Sequence, residues 1–193
     1  MTKVEVQKIK LEENSALFSG GRGLKKSSLT TDEKEFYMQE ALKEAAKALA
    51  NDEVPIGAVV VLNHQVIGRG HNERENSQNA THHAEMIAIQ AACQTTGSWR
   101  LADAQLFVTL EPCPMCSGAI LQSRIEEVYF GASDPKAGTA GSLMNLLEDS
   151  RFNHWCYVEN GVSKEKCAKL LTDFFRAIRQ RKKQYRQEKA QKD

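Results

Sequence analysis

His83-Ala84-Glu85 and, 27 residues on, Pro112-Cys113-Pro114-Met115-Cys116 are the side chains of this chain best suited to chemistry. The pattern is H-x-E … P-C-x-x-C. One imidazole and two thiols offer three soft ligands for a single zinc ion, and Glu85 is left over beside them. Three protein ligands leave a fourth position for water, which separates a catalytic zinc from a structural one. Such an ion lowers the pKa of its water from ~16 toward ~7. Glu85, two residues from His83, is expected to face the open position. There it would take a proton from water and return it to a ring nitrogen and a leaving amine. This chemistry suits hydrolytic loss of ammonia from an amino-substituted aromatic ring.

Other readings of these residues are weaker. Cys113-x-x-Cys116 alone would also suit a redox pair. Its combination with a histidine two residues before a glutamate, at a second strand-to-helix junction, favours the metal. A structural zinc needs a fourth ligand, and the adjacent His82 points away from His83 on a helix or an extended segment. Cys93 falls in an apolar helical stretch, and Cys156 and Cys167 read as buried small residues.

These residues must be held by strands and helices that the sequence places around them. A capping box, Thr30-x-x-Glu33, starts the first helix. Met38, Leu42, Ala45 and Leu49 give it one apolar stripe. Pro55 opens a new element. Ile56 to Leu62 and Gln65 to Gly70 read as two strands around a turn at Asn63-His64, and residues 73–81 as a polar loop. A second helix is expected over His83 to Gln94, a strand over Ala104 to Leu110, a third helix over Met115 to Ser123 and a strand over Glu127 to Phe130. A glycine-rich loop, Gly131 to Gly141, precedes a short helix near Leu143 to Leu147 and a weaker strand at Trp155 to Val158. A last helix runs from Ser163 into the tail. The alternation predicts an α/β fold, a three-layer α/β/α sandwich on a central mixed five-stranded sheet.

The sequence has 193 residues, 41% apolar and 26% charged, as in ordinary globular chains. Residues 1–29 are expected to be a poorly ordered extension, and 30–193 a single domain. Ser19-Gly20-Gly21-Arg22-Gly23 is not a phosphate loop, because no strand precedes it and the spacing to Lys25, Lys26 and Ser27 is wrong. No membrane span and no secretory signal is visible in the sequence. Five cysteines with no disulfide framework suggest a reducing, cytoplasmic setting. Net charge is only +1, yet from Arg176 to Asp193 eight basic residues face two acidic ones. Such a tail either tracks phosphates or is a solvated helix end whose cations suit the helix dipole.

H-x-E … P-C-x-x-C is an established signature of zinc-dependent nucleobase deaminases. From residue 33 to about 183 the chain further resembles the bacterial tRNA-specific adenosine deaminases, of the cytidine deaminase-like superfamily. The resemblance rests on Val54-Pro55-Ile56-Gly57-Ala58-Val59, Gly70-His71-Asn72, His83-Ala84-Glu85-Met86, Leu106 through Ala119, Phe130 through Lys136 and Asp173-Phe174-Phe175-Arg176. It implies a homodimer with the cytidine deaminase α/β/α fold. It also implies conversion of adenosine to inosine at the wobble position of a tRNA anticodon stem-loop. His83, Cys113 and Cys116 would bind one zinc per subunit and Glu85 would be the proton shuttle. Asn72 would contact the flipped nucleoside. Asp134, Lys136, Phe175 and Arg179 would contact the anticodon loop. From the residues themselves, Asn72 and Asp134 also read as turn formers, and one of Phe174 and Phe175 as core. The chain departs from the family pattern in its N-terminal extension, in His82, and in Ser133 and Pro135. Two other functions share the motif: deamination of a free base or nucleoside, against which the basic tail argues, and a non-catalytic zinc-stabilised RNA-binding subunit, against which Glu85 argues.

Overall fold

In the computed structural model, which describes residues 26–190, the capping box forms as the sequence requires. Thr30 Oγ1 accepts from the Glu33 backbone N–H at 3.3 Å, and the Glu33 carboxylate accepts from the Thr30 N–H at 2.9 Å. Helix α1 then runs over Thr31–Ala50. Its buried face is Tyr37, Met38, Ala41, Ala45 and Ala48. The expected stripe is therefore half right, since Leu42 is partly buried and Leu49 is 40% exposed. The cause is Gly57. A Cβ there would lie 2.1 Å from Ala41 O and 2.3 Å from Ala45 N. The helix backbone sits directly on the sheet, which turns the alanines inward and the leucine at 49 out.

Five strands follow the expected order: β1 (Gly57–Leu62), β2 (Gln65–His71), β3 (Gln105–Leu110), β4 (Glu127–Ala132) and β5 (Tyr157–Asn160). They form one mixed sheet ordered β2-β1-β3-β4-β5. β1 is antiparallel to β2 and β3, while β3, β4 and β5 are parallel. Asn63 and His64, both at positive φ, make the tight β1–β2 turn, whose twist matches the strands.

β1, β3 and β4 are buried on both faces, as central strands between helical layers must be. On one side Val60, Leu106, Val108 and Phe130 meet α3 (Ala84–Thr96) and α4 (Pro114–Gln122) through Ala88 and Ile120. On the other, Val59, Phe107 and Tyr129 meet α1 and α5 (Lys164–Ala190) through Met38 and Leu171. This is the expected three-layer sandwich. Gly70 lets the start of α3 rest on β2, since a Cβ there would lie 2.3 Å from Ala84 O. That contact fixes where α3 begins.

Two segments depart from expectation. Residues 143–147 form turns and an isolated Ala140–Asn145 bridge, not a helix. The N–H groups of Leu143 and Leu146 bond instead to the carbonyls of Gly138 and Thr139, which precludes an α-helical ladder. Within the expected polar loop 73–81 lies a short helix, α2 (Arg74–Ser77), with the Asn76 N–H bound to Glu53 at 2.6 Å. Most of the N-terminal extension, including the 19–23 patch, lies outside the described residues. Of its last residues, Ser27 bonds Tyr129 at 2.6 Å and Leu29 is buried, so this stretch is packed. Cys156 and Cys167 are buried and Cys93 partly so, as expected. Among the described residues no helix is long and apolar enough to cross a membrane.

The Gly57 contact generates the first prediction. Gly57→Ala should cost about 1–3 kcal/mol by overpacking, read as a lower urea midpoint with an unchanged slope. A midpoint equal to the parent's would show that α1 can lift from β1 without cost.

Candidate active site

Two helices begin side by side. His83 is the N-cap of α3 and Cys113 the N-cap of α4, with Pro114 next. N-cap positions usually turn a side-chain oxygen back onto the helix's own N–H groups. Neither of these residues makes such a bond. Their side chains instead turn toward each other. His83 Nδ1 lies 3.7 Å from Cys113 Sγ and 3.6 Å from Cys116 Sγ, and the two sulfurs are 3.6 Å apart.

Those separations decide whether an ion fits. Tetrahedral zinc with bonds of ~2.0–2.3 Å needs its donors about 3.5–3.8 Å apart. The three donor atoms already stand at three corners of such a tetrahedron. Their protonation fits as well. The Cys113 thiol is pulled down to about 4, first by the hydrogen bond from Cys116 and then by His83. His83 is raised, chiefly by its bond to Cys113. Cys116 is pushed up, first by its sulfur–sulfur contact with Cys113 and then by burial. A cation bound among the three donors would take the place of the protons that the thiols share.

A cavity of about 470 Å³ opens above this cluster. His83, Glu85 and Cys113 line it, with Val54, Ile56, Leu110 and Leu171 as apolar wall. Cys116 is fully buried behind it. Glu85 is only 4% exposed, and burial pushes its carboxyl up to about 7. An apolar slot with a few convergent polar groups and a perturbed acid is the usual form of a small-ligand site.

The structure brings most of the expected residues to this cavity. Asn72, Asp134, Lys136 and Phe175 line it. Asn72 is buried, and its amide donates to Glu53 at 2.8 Å. Phe174 is buried and Phe175 is 44% exposed, so the pair divides as expected between core and cavity mouth. Asp134 also forms the turn: its Oδ1 accepts from the Lys136 N–H at 2.9 Å and the Ala137 N–H at 3.2 Å. Arg179 does not line the cavity. It lies one step outward, in a depression shared with Lys136, Leu171, Thr172 and Phe175. Pro135 reaches the cavity, whereas His82 and Ser133 do not.

Sequence reasoning missed two buried acids. Glu53, 1% exposed, holds both Asn72 and α2. Glu111, 3% exposed, accepts from the backbone N–H groups of Asp134, Ala140 and Ser142 at 2.9–3.0 Å and from the Ser142 hydroxyl. It ties the loop carrying Asp134 and Lys136 to the junction between β3 and Cys113. A lone glutamate gives no sign in sequence of lying inside, although Glu111 stands inside the matched stretch.

The MafB19-like deaminase family profile matches residues 32–179. The tRNA-specific adenosine deaminase of Bacillus subtilis (strain 168) is 56% identical over 149 residues, 77% of this chain and 92% of that one. That of Streptococcus pyogenes serotype M18 is 53% identical over 152 residues, 79% of this chain and 96% of its own length. The chain belongs to the tRNA-specific adenosine deaminase family. A solved structure from studies of A-to-I editing by tRNA:A34 deaminases at the wobble position of transfer RNA superposes with a TM-score of 0.68. It is 42% identical and covers 70% of this chain and 99% of its own. In this chain the cavity, the donor cluster and Glu85 coincide in one place.

The buried acids yield two predictions. Glu111→Gln sets an amide N–H₂ against backbone donors and should cost about 1–3 kcal/mol. Faster hydrogen exchange confined to residues 134–142 is expected, and unchanged exchange there would show that the loop holds without the carboxylate. For Glu85, the folded pKa of about 7 lies above the ordinary 4.5. A raised carboxyl stabilises the fold when protonated, and this contribution fades as pH rises from about 4.5 through about 7. In chelator-treated protein, the stability of the parent relative to Glu85→Gln should fall across that window. A flat difference would mean that Glu85 is not buried as the acid.

Proposed function

We propose that this chain is a zinc hydrolase that converts adenosine to inosine at the wobble position of a tRNA anticodon, with release of ammonia. The observation that carries the reading is Glu85, buried at the floor of a cavity directly beside a three-donor cluster. His83, Cys113 and Cys116 would hold one zinc per subunit. Bound there, the ion supplies water acidified to near neutrality.

The chain's own residues do the rest. Glu85, whose carboxyl is raised to about 7, takes one proton from water and gives it to the purine ring nitrogen, where it stays, and then carries the second proton, from the oxygen now bonded to C6, to the amine that leaves as ammonia. Oxygen bonds to C6, the C6–N bond breaks, and a carbonyl remains. Asn72, its amide plane set by Glu53, still has a carbonyl oxygen and one N–H for the nucleoside. The apolar walls exclude bulk water around the ring. A base must leave its stack to reach so enclosed a floor, and a loop nucleotide leaves at small cost. Phe175 at the mouth stacks a neighbouring base, and Arg179 outside it meets a phosphate. Asp134 shapes the loop that presents Lys136. The resemblance to these deaminases supports a homodimer in the cytoplasm as the active form.

The test is an inosine assay on an anticodon stem-loop with a wobble adenosine, read as A-to-G conversion. Conversion at that adenosine is expected. If free cytosine, cytidine or guanine turned over and the hairpin did not, the proposal would fall. Glu85→Ala should keep its zinc and lose about 10²–10⁴-fold in kcat. Near-parental turnover would remove Glu85 from the chemistry. Cys113→Ala should lose zinc and thermal stability together, because metal binding is coupled to folding; full zinc occupancy in that variant would overturn the ligand assignment.

A further inference from the structure

Glu53 stands just past the end of α1 and reaches two groups. Its own N–H donates to Ala48 O at 3.0 Å, which fixes its backbone. One carboxylate oxygen accepts from the Asn76 N–H at 2.6 Å and the other from the Asn72 amide at 2.8 Å. The short helix that carries Asn76, α2, has no buried residue. A carboxylate buried to 1% exposure is a costly way to hold so small and exposed a turn. Its other bond leads to the site: Asn72 lines the cavity beside His83 and Glu85, and Glu53 does not.

Asn72 is pinned as firmly. Its backbone N–H donates to Ile56 O at 3.0 Å, and its side chain is buried. A free side-chain amide can turn over, which exchanges a donor for an acceptor. Glu53 removes that freedom, because a carboxylate accepts and would repel an amide oxygen turned toward it. One Nδ2 hydrogen goes to Glu53, and the other hydrogen and Oδ1 are left. Among the described residues no protein donor reaches Asn72 Oδ1. A buried amide oxygen with no partner costs free energy until a ligand brings a donor.

A donor and an acceptor side by side match one edge of one base. Adenine carries a ring acceptor, N7, next to its amine, and an asparagine amide meets that pair with two hydrogen bonds. Cytosine has a carbon in the corresponding place, which would leave the amide N–H unpaired. We propose that Glu53 is a positioning residue that makes the site select adenine, by holding the Asn72 amide with its N–H toward N7 and its oxygen toward the amine. The inference rests on the function proposed above and adds what distinguishes the base. The ring nitrogen served by Glu85 is N1, on the other side of C6, so the two residues bracket the reacting carbon.

Glu53→Gln reverses the pattern. The Asn76 N–H can only donate, so the new amide keeps its oxygen there and turns its N–H₂ to Asn72. Asn72 must then turn over and set its oxygen against N7. The experiment compares two hairpins, one with a wobble adenosine and one with 7-deazaadenosine, in which C–H replaces N7. Binding is read by fluorescence anisotropy in a Glu85→Ala background, and kcat/KM with Glu85 present. The parent should favour adenosine about 10-fold, as expected for one buried N–H left unpaired. In Glu53→Gln and in Asn72→Ala that ratio should fall to about 1, and combining the two should lower it no further. Should Glu53→Gln fail to fold, E53Q/N72D restores a donor–acceptor pair yet offers the base only an acceptor, and its ratio should also be about 1. Equal losses on both hairpins keep the ratio, make Glu53 a support of the fold alone, and overturn the proposal. A parental ratio near 1 overturns it even if the wobble adenosine is converted. A binding ratio that collapses in Glu53→Gln upholds it even if the parent deaminates neither hairpin, an outcome that would bring down the proposed reaction alone.

Discussion

The site depends on two helix N-termini held next to each other with their caps left unmade. β1 and β3 pair antiparallel, which sets the β2–α3 and β3–α4 junctions at one end of the sheet. Gly70 brings α3 down onto β2, and Pro114 starts α4 immediately after Cys113. The partial positive charge of both helix starts then falls on the same few ångströms. A neutral cap would squander that field on the helix itself. Here it bears on a thiolate, an imidazole and a carboxylate, and these groups settle their protonation against one another.

Three buried glutamates share this region and do different things because their partners differ. Glu111 accepts backbone and hydroxyl bonds and is held below the usual carboxylate range despite its burial. It is a fixed anion that shapes a loop. Glu53 accepts from one amide side chain and one backbone N–H and aligns a ligand-facing residue. Glu85 has burial as its dominant influence and stays near neutral pH, where a carboxyl can both give and take a proton. The same side chain is a fixed anion, a clamp or an acid poised near neutrality according to how many donors surround it.

The metal motif was legible in sequence because ligand chemistry tolerates few residue types and few spacings. The succession of strands and helices along the chain was legible because burial on both faces imposes unbroken apolar runs such as Ala58 to Leu62. The β1–β2 turn and the Thr30 cap were legible as local backbone chemistry. What sequence did not show was competition for hydrogen bonds across the fold. Leu143, Leu146 and Leu147 have helical spacing, yet the carbonyls of Gly138 and Thr139 take the N–H groups of Leu143 and Leu146. Leu49 fits the apolar stripe of α1, yet a glycine on another element sets the helix rotation. Glu53 looks like any surface acid until Asn72 and Asn76 are seen around it.

The closeness of Cys113 and Cys116 has a redox side. Sulfurs 3.6 Å apart, with the Cys113 thiol held well below its usual range, are as well placed to be oxidised as to hold an ion, since the thiolate is the form that oxidants attack and a neighbouring thiol can resolve the product as a disulfide. A bound cation occupies both sulfurs and closes that route. A metal ion and an oxidant would therefore compete for one pair of atoms.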